Sequence, residues 1–439
     1  MTTGFAVTAG WDLPVAVSSH VHAAVAMADA AAAHAGLTPA DRASCALIAT
    51  ELATNLARHA RDGQLVASAT EPGPAAWVQL AALDTGPGIP DVDAAMADGY
   101  STANSLGGGL GACRRAAGVF DLYTAPGVGT TIIARIGPGS SINPPHPLNP
   151  TTHSSPTKHT NNFGLTSNPD NSSPISPTTR SSPTSPASHL RIGGILAARP
   201  GERESGDAWS VRWRAGTITI VIMDGLGHGP EAAEAAANGL RELAVPAGAD
   251  DPLALLGRLD HRLAGGRGAV AAVARMSSDE FTFSGIGNIG ARLGSDVAPA
   301  DRAAWTGQAA RADRARRDAG AHGLVSSMGT LGLGQRLRPQ AFVAPWREHS
   351  LFTAHTDGIR PSWDLSRYPG VTRHDPAIMA ALIWRDAATR SDDAAVVVAA
   401  AAARPAIARP ASGTRPASGT RPAAMNEAAA YWPATEGRS

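Results

Sequence analysis

Glu51, Asn55 and His59 recur every four residues in a stretch that reads as a helix. Thr38-Pro39-Ala40-Asp41 opens it: Thr38 is a capping type, Pro39 fits the first helical position, and Asp41 follows the cap by three. The helix is predicted to run to about Ala60, with Ile48, Leu52 and Leu56 as its apolar stripe. Glu51 and Asn55 lie one residue out of phase with that stripe, which sets an acid and an amide side by side at the edge of a buried face. Next, Trp77–Leu83 reads as a strand and ends in Asp84-Thr85-Gly86-Pro87-Gly88-Ile89. An acid at a strand end, followed by glycines, lets a ligand approach the backbone while the carboxylate accepts from an amino group. Leu106-Gly107-Gly108-Gly109-Leu110-Gly111 then opens another helix, through Ala117, whose free N–H groups suit phosphates. Each piece alone is commonplace; their order is the signal.

A second series of acids stands at strand ends further on. Ser205-Gly206-Asp207-Ala208-Trp209 comes first, and the strand Thr217–Met223 then leads into Asp224-Gly225-Leu226-Gly227-His228-Gly229. An alanine-rich helix is expected from about Pro230 to Leu243. Leu351–His355 runs into Thr356-Asp357-Gly358-Ile359, and Ser391-Asp392-Asp393 precedes the strand beginning Ala394-Ala395-Val396. Carboxylates converging from several strand ends suit hard cations such as Mg2+ or Mn2+. Two such ions about 4 Å apart can acidify a water for in-line attack on a phosphoester.

The elements that must position these residues fall into two blocks. Residues 138–189 are rich in Ser, Thr, Pro and Asn and lack apolar periodicity, so they read as a disordered linker. A flexible coil of about 50 residues spans roughly 40 Å, which would tether two domains without fixing their orientation. Ala411–Pro416 repeats as Ala417–Pro422, and residues 402–439 read as a disordered tail. A stretch at 300–321 reads as a helical surface insertion. The folded blocks are therefore expected at 1–137 and 190–401.

Composition excludes several classes. With 37 Lys+Arg against 37 Asp+Glu in 439 residues, no global basic field draws the chain to nucleic acid or to a membrane. Two cysteines, Cys45 and Cys113, cannot build a disulfide framework or a Cys-rich zinc site. No signal peptide and no long apolar span is visible, so a cytoplasmic protein is expected.

The first block resembles the GHKL ATPase/kinase superfamily, and within it the anti-sigma-factor serine kinases. Glu51-Leu52-Ala53-Thr54-Asn55 matches the N box, Asp84–Ile89 the first glycine box and Gly107–Gly111 the second. The resemblance implies that Asn55 holds Mg2+, that Asp84 recognises adenine, and that Gly86, Gly88, Gly107, Gly108, Gly109 and Gly111 serve ATP under a short lid. It makes Glu51 the general base that takes the proton of a protein serine. The second block is similar to the SpoIIE-like serine phosphatases of the metal-dependent PPM class. By that resemblance the metal ligands are Asp207, Asp224, the Gly225 carbonyl, Asp357 and Asp392, with Asp393 a competitor for the last place. His228 either donates a proton to the leaving serine or stabilises its turn, and the Gly285–Asn288 turn reads as a hairpin feature. Ser326–Thr330 departs from the more polar pair that such relatives carry there.

The fold implied is α+β: an N-terminal GHKL (Bergerat) α/β sandwich and a C-terminal PPM-type α-β-β-α sandwich. The function implied is a partner-switching regulator that joins a serine kinase-like domain to a Mg2+/Mn2+-dependent serine-phosphoprotein phosphatase. Its expected partners are STAS-domain anti-sigma antagonists, with a sigma factor or its regulator also in view. The alternative demotes the first block to an ATP sensor, or to a module that sequesters a sigma factor or antagonist.

Overall fold

The computed structural model describes residues 3–97, 109–139, 190–202, 204–244, 251–295 and 322–401. The 138–189 linker (beyond residue 139), the 300–321 insertion, the tail, Gly107 and Gly108 lie outside the described residues.

The first block runs β1 (Thr3–Pro14), α1 (His20–His34), α2 (Pro39–His59), β2 (Gln64–Thr70), β3 (Val78–Leu83), α3 (Val92–Met96), α4 (Gly109–Ala116), β4 (Val119–Ala125) and β5 (Gly129–Ile136). The second runs β6 (Leu190–Ala197), β7 (Asp207–Arg214), β8 (Thr217–Gly225), α5 (Pro230–Leu240), α6 (Pro252–Leu263), β9 (Ala269–Met276), β10 (Glu280–Ile286) and β11 (Gly290–Ser295). It continues through β12 (His322–Leu324), β13 (Phe342–Pro345), β14 (Ser350–His355), α7 (Pro376–Ala387) and β15 (Ala394–Ala401). The architecture is α+β, as expected.

The blocks share a sheet. Its ten strands run β13-β10-β9-β8-β7-β1-β2-β3-β5-β4, all antiparallel, and β1 is the seam. Thr3–Val7 pair with Trp213–Trp209 of β7, and Val7–Pro14 pair with Thr70–Gln64 of β2. A register shift between Val7 and Ala9 re-aims the strand from one partner to the other. Neither β1 nor β7 is left with an open edge along this pairing. A five-stranded sheet, β12-β11-β14-β15-β6, packs against the second half of the long one.

Each half of the long sheet is covered on both faces. In the first block α1, α2 and α4 bury Ile48, Leu52, Cys45 and Cys113 against one face. The opposite face, with Val66, Leu83, Tyr123 and Ile133, packs on α7 of the second block. In the second block α5 and α6 cover one face and the five-stranded sheet the other. Polar bonds seal the seam. Arg135 of β5 is 1% exposed, donates twice to Asp375 at 3.0 and 2.7 Å, and also donates to Gln79 at 2.8 Å. Gln79 in turn donates to the Gly194 carbonyl at 2.8 Å. Ser68 both donates to and accepts from the Leu196 backbone, and Arg390 donates to Asp12 at 2.7 Å.

This overturns the expectation of two blocks free to reorient on a tether. Residues Met1–Ala403 form one compact unit. The composition of the linker bears only on the linker. The orientation is fixed by β1–β7 pairing and by the apolar faces that α7 joins.

Candidate active sites

In the first block, α2 begins as its sequence dictates: Thr38 accepts from the Asp41 N–H at 3.2 Å, with Pro39 in the first turn. Ile48, Leu52 and Leu56 are buried against the sheet, which turns Glu51, Asn55 and His59 toward a cavity of about 380 Å³. Ala82, Asp84, Gly88, Ile89, Gly109, Leu110, Thr130 and Ile132 line the same cavity. The structure therefore brings Glu51, Asn55, Asp84, Gly88 and Gly109 together from three separate sequence segments. Gly86 sits on the Asp84 turn, and Gly111 is buried in α4.

Burial pushes the Glu51 carboxyl above its ordinary range, opposed by Arg58 and by the Gly109 N–H that donates to it. A base with a raised pKa is better matched to proton transfer near neutrality. Asp84 ends β3; its N–H donates to the Thr130 carbonyl at 3.0 Å, and its Oδ1 accepts from the Gly86 N–H at 2.6 Å. Burial raises Asp84 too, with the Gly86 and Thr130 backbones and Arg385 opposing. Gly88 has φ +82°, and a Cβ there would lie 2.6 Å from the Ala125 carbonyl, so the loop needs glycine at that point.

The second site lies at the β7, β8, β14 and β15 ends. Asp207 and Asp224 are direct cross-strand partners. Asp207 is 2% exposed, and its Oδ2 accepts from the Thr356 hydroxyl at 2.6 Å. Thr356 Oγ1 also accepts from the Ala395 N–H, which locks the pair. Asp357 accepts from the Asn288 side chain at 2.7 Å, so the turn read as a hairpin feature also orients an acid. Asp224, Asp357, Asp392, His228, Arg199 and Met328 border a cavity of about 610 Å³.

Asp392 and Asp393 separate clearly. Asp393 is buried and accepts from the Arg199 and Gly206 N–H groups at 2.7 Å each, while Asp392 is exposed on the cavity. Gly225 closes β8, where a Cβ would meet the Ala232 carbonyl at 2.2 Å. His228 is 51% exposed, and its Nδ1 lies 3.1 Å from Glu202.

Burial raises Asp207 well above the carboxylate range, and Asp224 opposite adds to the rise. Asp224 is pushed up to about 7 by burial, then by Asp357, Asp392 and Asp393. Asp357 is raised by burial and by Asp392. None of Asp207, Asp224, Asp357 and Asp392 is ion-paired among the described residues. Nor do three of these groups, as they stand, close into a metal-holding cluster among those residues. The set is an open one of like charges with all-oxygen donors, which fits a hard divalent cation better than any side-chain partner present.

Arg385, Thr356 and Asn288 escaped assignment from the sequence. Thr356 and Asn288 stood inside quoted motifs, where a hydroxyl and an amide beside acids were the available signal. Neither cysteine joins a site: both are buried and free, with thiols pushed up to about 12 by burial.

The fold and the first cavity define a histidine kinase-like ATPase domain, and the profile of that family matches residues 14–136. Over 99 residues the chain is 35% identical to the serine/threonine-protein kinase RsbT of Bacillus subtilis strain 168, covering 23% of this chain and 74% of that one. The chain belongs to the histidine kinase-like ATPase family that includes RsbT. Among solved structures it is similar to one described as the bacterial stressosome, a modular system adapted to control secondary messenger signalling. That likeness has 27% identity over 48% of this chain and 98% of the other, with a TM-score of 0.38. It is also similar to RsbX in complex with magnesium, at 20% identity over 48% of this chain and 94% of that one, again with a TM-score of 0.38. Among the described residues no helix is long and apolar enough to cross a membrane.

Proposed function

We propose that the chain is a bifunctional partner-switching regulator, with residues 1–137 as an ATP-dependent serine kinase-like domain and residues 190–401 as a metal-dependent serine-phosphoprotein phosphatase. The observation that carries this reading is the presence, in one compact unit, of two cavities with different sets of polar side chains. One pairs a buried carboxylate, Glu51, with Asn55 and a glycine-bounded helix start. The other gathers acids from four strand ends, three of them on the cavity beside Arg199, His228 and Asn288.

In the first cavity Asp84 would accept from the adenine amino group and Asn55 would hold Mg2+, with Gly86, Gly88, Gly109, Gly111 and the 107–108 glycines around the phosphates. Glu51 takes the proton of a partner's serine hydroxyl as that oxygen bonds to the γ-phosphorus and the bond to ADP breaks. In the second, Asp207, Asp224, the Gly225 carbonyl, Asp357 and Asp392 would hold Mg2+ or Mn2+. When bound, such ions neutralise phosphate charge and acidify water. Thr356 and Asn288 hold Asp207 and Asp357 in place, and His228, on the cavity lining, would give a proton to the leaving serine oxygen.

The substrates proposed are STAS-type anti-sigma antagonists. RsbT is named a serine/threonine-protein kinase, which supports the kinase half of the reading. Incubating the full chain with a STAS partner, Mg2+ or Mn2+ and γ-labelled ATP tests both halves, because label should appear on the partner's serine and then leave it. A chain that binds ATP but labels no candidate sinks the kinase half. The second reading, an ATP-sensing or partner-sequestering first block that regulates the phosphatase, is favoured by one contact: Arg385 of the second block reaches the Asp84 backbone.

A further inference from the structure

Arg385 ends α7, and its side chain is only 7% exposed. Its Nη1 donates to the carbonyls of Asp84 and Val128, at 2.8 and 3.1 Å, both in the first block. Its Nη2 donates to the Tyr368 hydroxyl at 3.0 Å and its Nε to Asp386 at 2.9 Å, while the Tyr368 hydroxyl itself donates to Asp386. Tyr368 and Asp386 thus hold the guanidinium from the second block while its free corner reaches across. A buried guanidinium is costly unless its donors are used, and here they are spent on a backbone next to the nucleotide cavity.

The target is specific. Asp84 is held at three points: its N–H by the Thr130 carbonyl, its carboxylate by the Gly86 and Thr130 N–H groups, and its carbonyl by Arg385. The first two anchors come from its own block and the third does not. Gly129, at φ +99°, makes room, since a Cβ there would lie 2.1 Å from the Asp84 carbonyl. Arg385 thus fixes the peptide plane that joins Asp84 to Thr85, one peptide before the Gly86 N–H that holds the carboxylate.

We infer that Arg385 is a positioning residue of the nucleotide cavity, supplied by the second block, which sets the Asp84 carboxylate to select adenine over guanine nucleotides. The inference rests on the reading of the first cavity as an adenine-nucleotide site. Adenine offers an amino donor where guanine offers a carbonyl acceptor, so a fixed carboxylate welcomes one base and repels the other. A carboxylate free to turn discriminates less.

The test measures ATP and GTP binding to the full chain with Mg2+, by calorimetry, for wild type, Arg385→Met and Arg385→Lys. The expected result for Arg385→Met is an ATP Kd raised about tenfold with GTP little changed, so that the ATP/GTP ratio falls. Lysine reaches one carbonyl rather than a fork of partners and should restore only part of the ratio. If the methionine variant does not fold, judged by its thermal melt, the lysine variant carries the test alone. Unchanged ATP binding overturns the inference. So does a matched loss of ATP and GTP with the ratio kept, which is what a merely structural role would give. A wild type that binds neither nucleotide overturns the cavity reading itself, and that failure shows without any variant.

Discussion

The two cavities solve the problem of a buried acid in opposite ways. In the first, each acid has its own backbone donor: Gly109 for Glu51 and Gly86 for Asp84. Burial still raises both, so these donors offset part of its cost. In the second, Asp207 and Asp224 face each other across a strand pair, and Asp357 and Asp392 add further negative charge. Like charges directly opposite on a sheet are destabilising. Thr356 and Asn288 orient two of these acids but neutralise none. The first site's acids therefore face burial alone, whereas the second's also repel one another, which a cation would relieve.

The strongest way to break that contrast is at Asp224 or Asp357. Alanine at either should reduce hydrolysis of a phosphoserine protein by about a thousandfold or more, since the ions are worth several kcal/mol in the transition state. Full activity in either variant would remove the two-metal assignment. Asp224→Ala should also raise the melting temperature in chelator, increasingly as pH rises past about 7, where wild-type Asp224 ionises opposite Asp207; roughly 0.2–1 kcal/mol is at stake for the pair. Glu51→Ala in the first cavity should show no comparable gain. Its expected effect is about a 10²–10⁴-fold loss of transfer from labelled ATP to the partner, with ATP binding retained. Loss of binding together with transfer would recast Glu51 as part of the nucleotide pocket's framework.

Thr356→Val sharpens the contrast with a smaller effect. It keeps the shape but removes the hydroxyl that donates to Asp207 and accepts from the Ala395 N–H. Groups that orient a metal ligand typically account for 10–100-fold in affinity or activity, so Mn2+ titrations of activity should shift by about that factor. An unshifted titration would mean that Asp207 needs no orienting.

The first cavity was legible in the sequence because its residues lie on regular elements. The four-residue spacing of Glu51, Asn55 and His59 fixes a helix face, and Asp84 ends a strand whose pattern is plain. The acids of the second cavity were legible as a series, but Asp392 and Asp393 were not separable, because only the loop at 199–206 decides which of them is consumed by N–H groups. The union of the blocks was missed, although α7 carried a signal. Ala377 through Trp384 are apolar on every side and all buried. A helix without a polar face must be covered all round, and one sheet cannot do that. Pairing of β1 with β7 had no such signal, since Thr3–Val7 suits any open edge.

The smallest expected effect tests that union. Asp121, on β4 of the first block, accepts from the Asp375 N–H at 2.6 Å and lies 3.0 Å from His374, both in the second block. Burial would raise the Asp121 carboxyl, but the His374 bond and the Asp375 and Leu122 N–H groups outweigh it and hold it below its ordinary value. A carboxyl depressed in the folded state contributes stability above the unfolded pKa of about 3.9, and loses it as pH falls through the lower folded value. Asp121→Asn should therefore cost about 1 kcal/mol near neutrality and less in acid, where wild type has already lost the contribution. Urea melts of the full chain at several pH values read this directly. If the two blocks are one body, wild type and variant each melt in a single transition, and the gap between them closes toward low pH. A gap that stays constant with pH would place the stabilisation in shape rather than charge, and two transitions in wild type would undo the shared sheet.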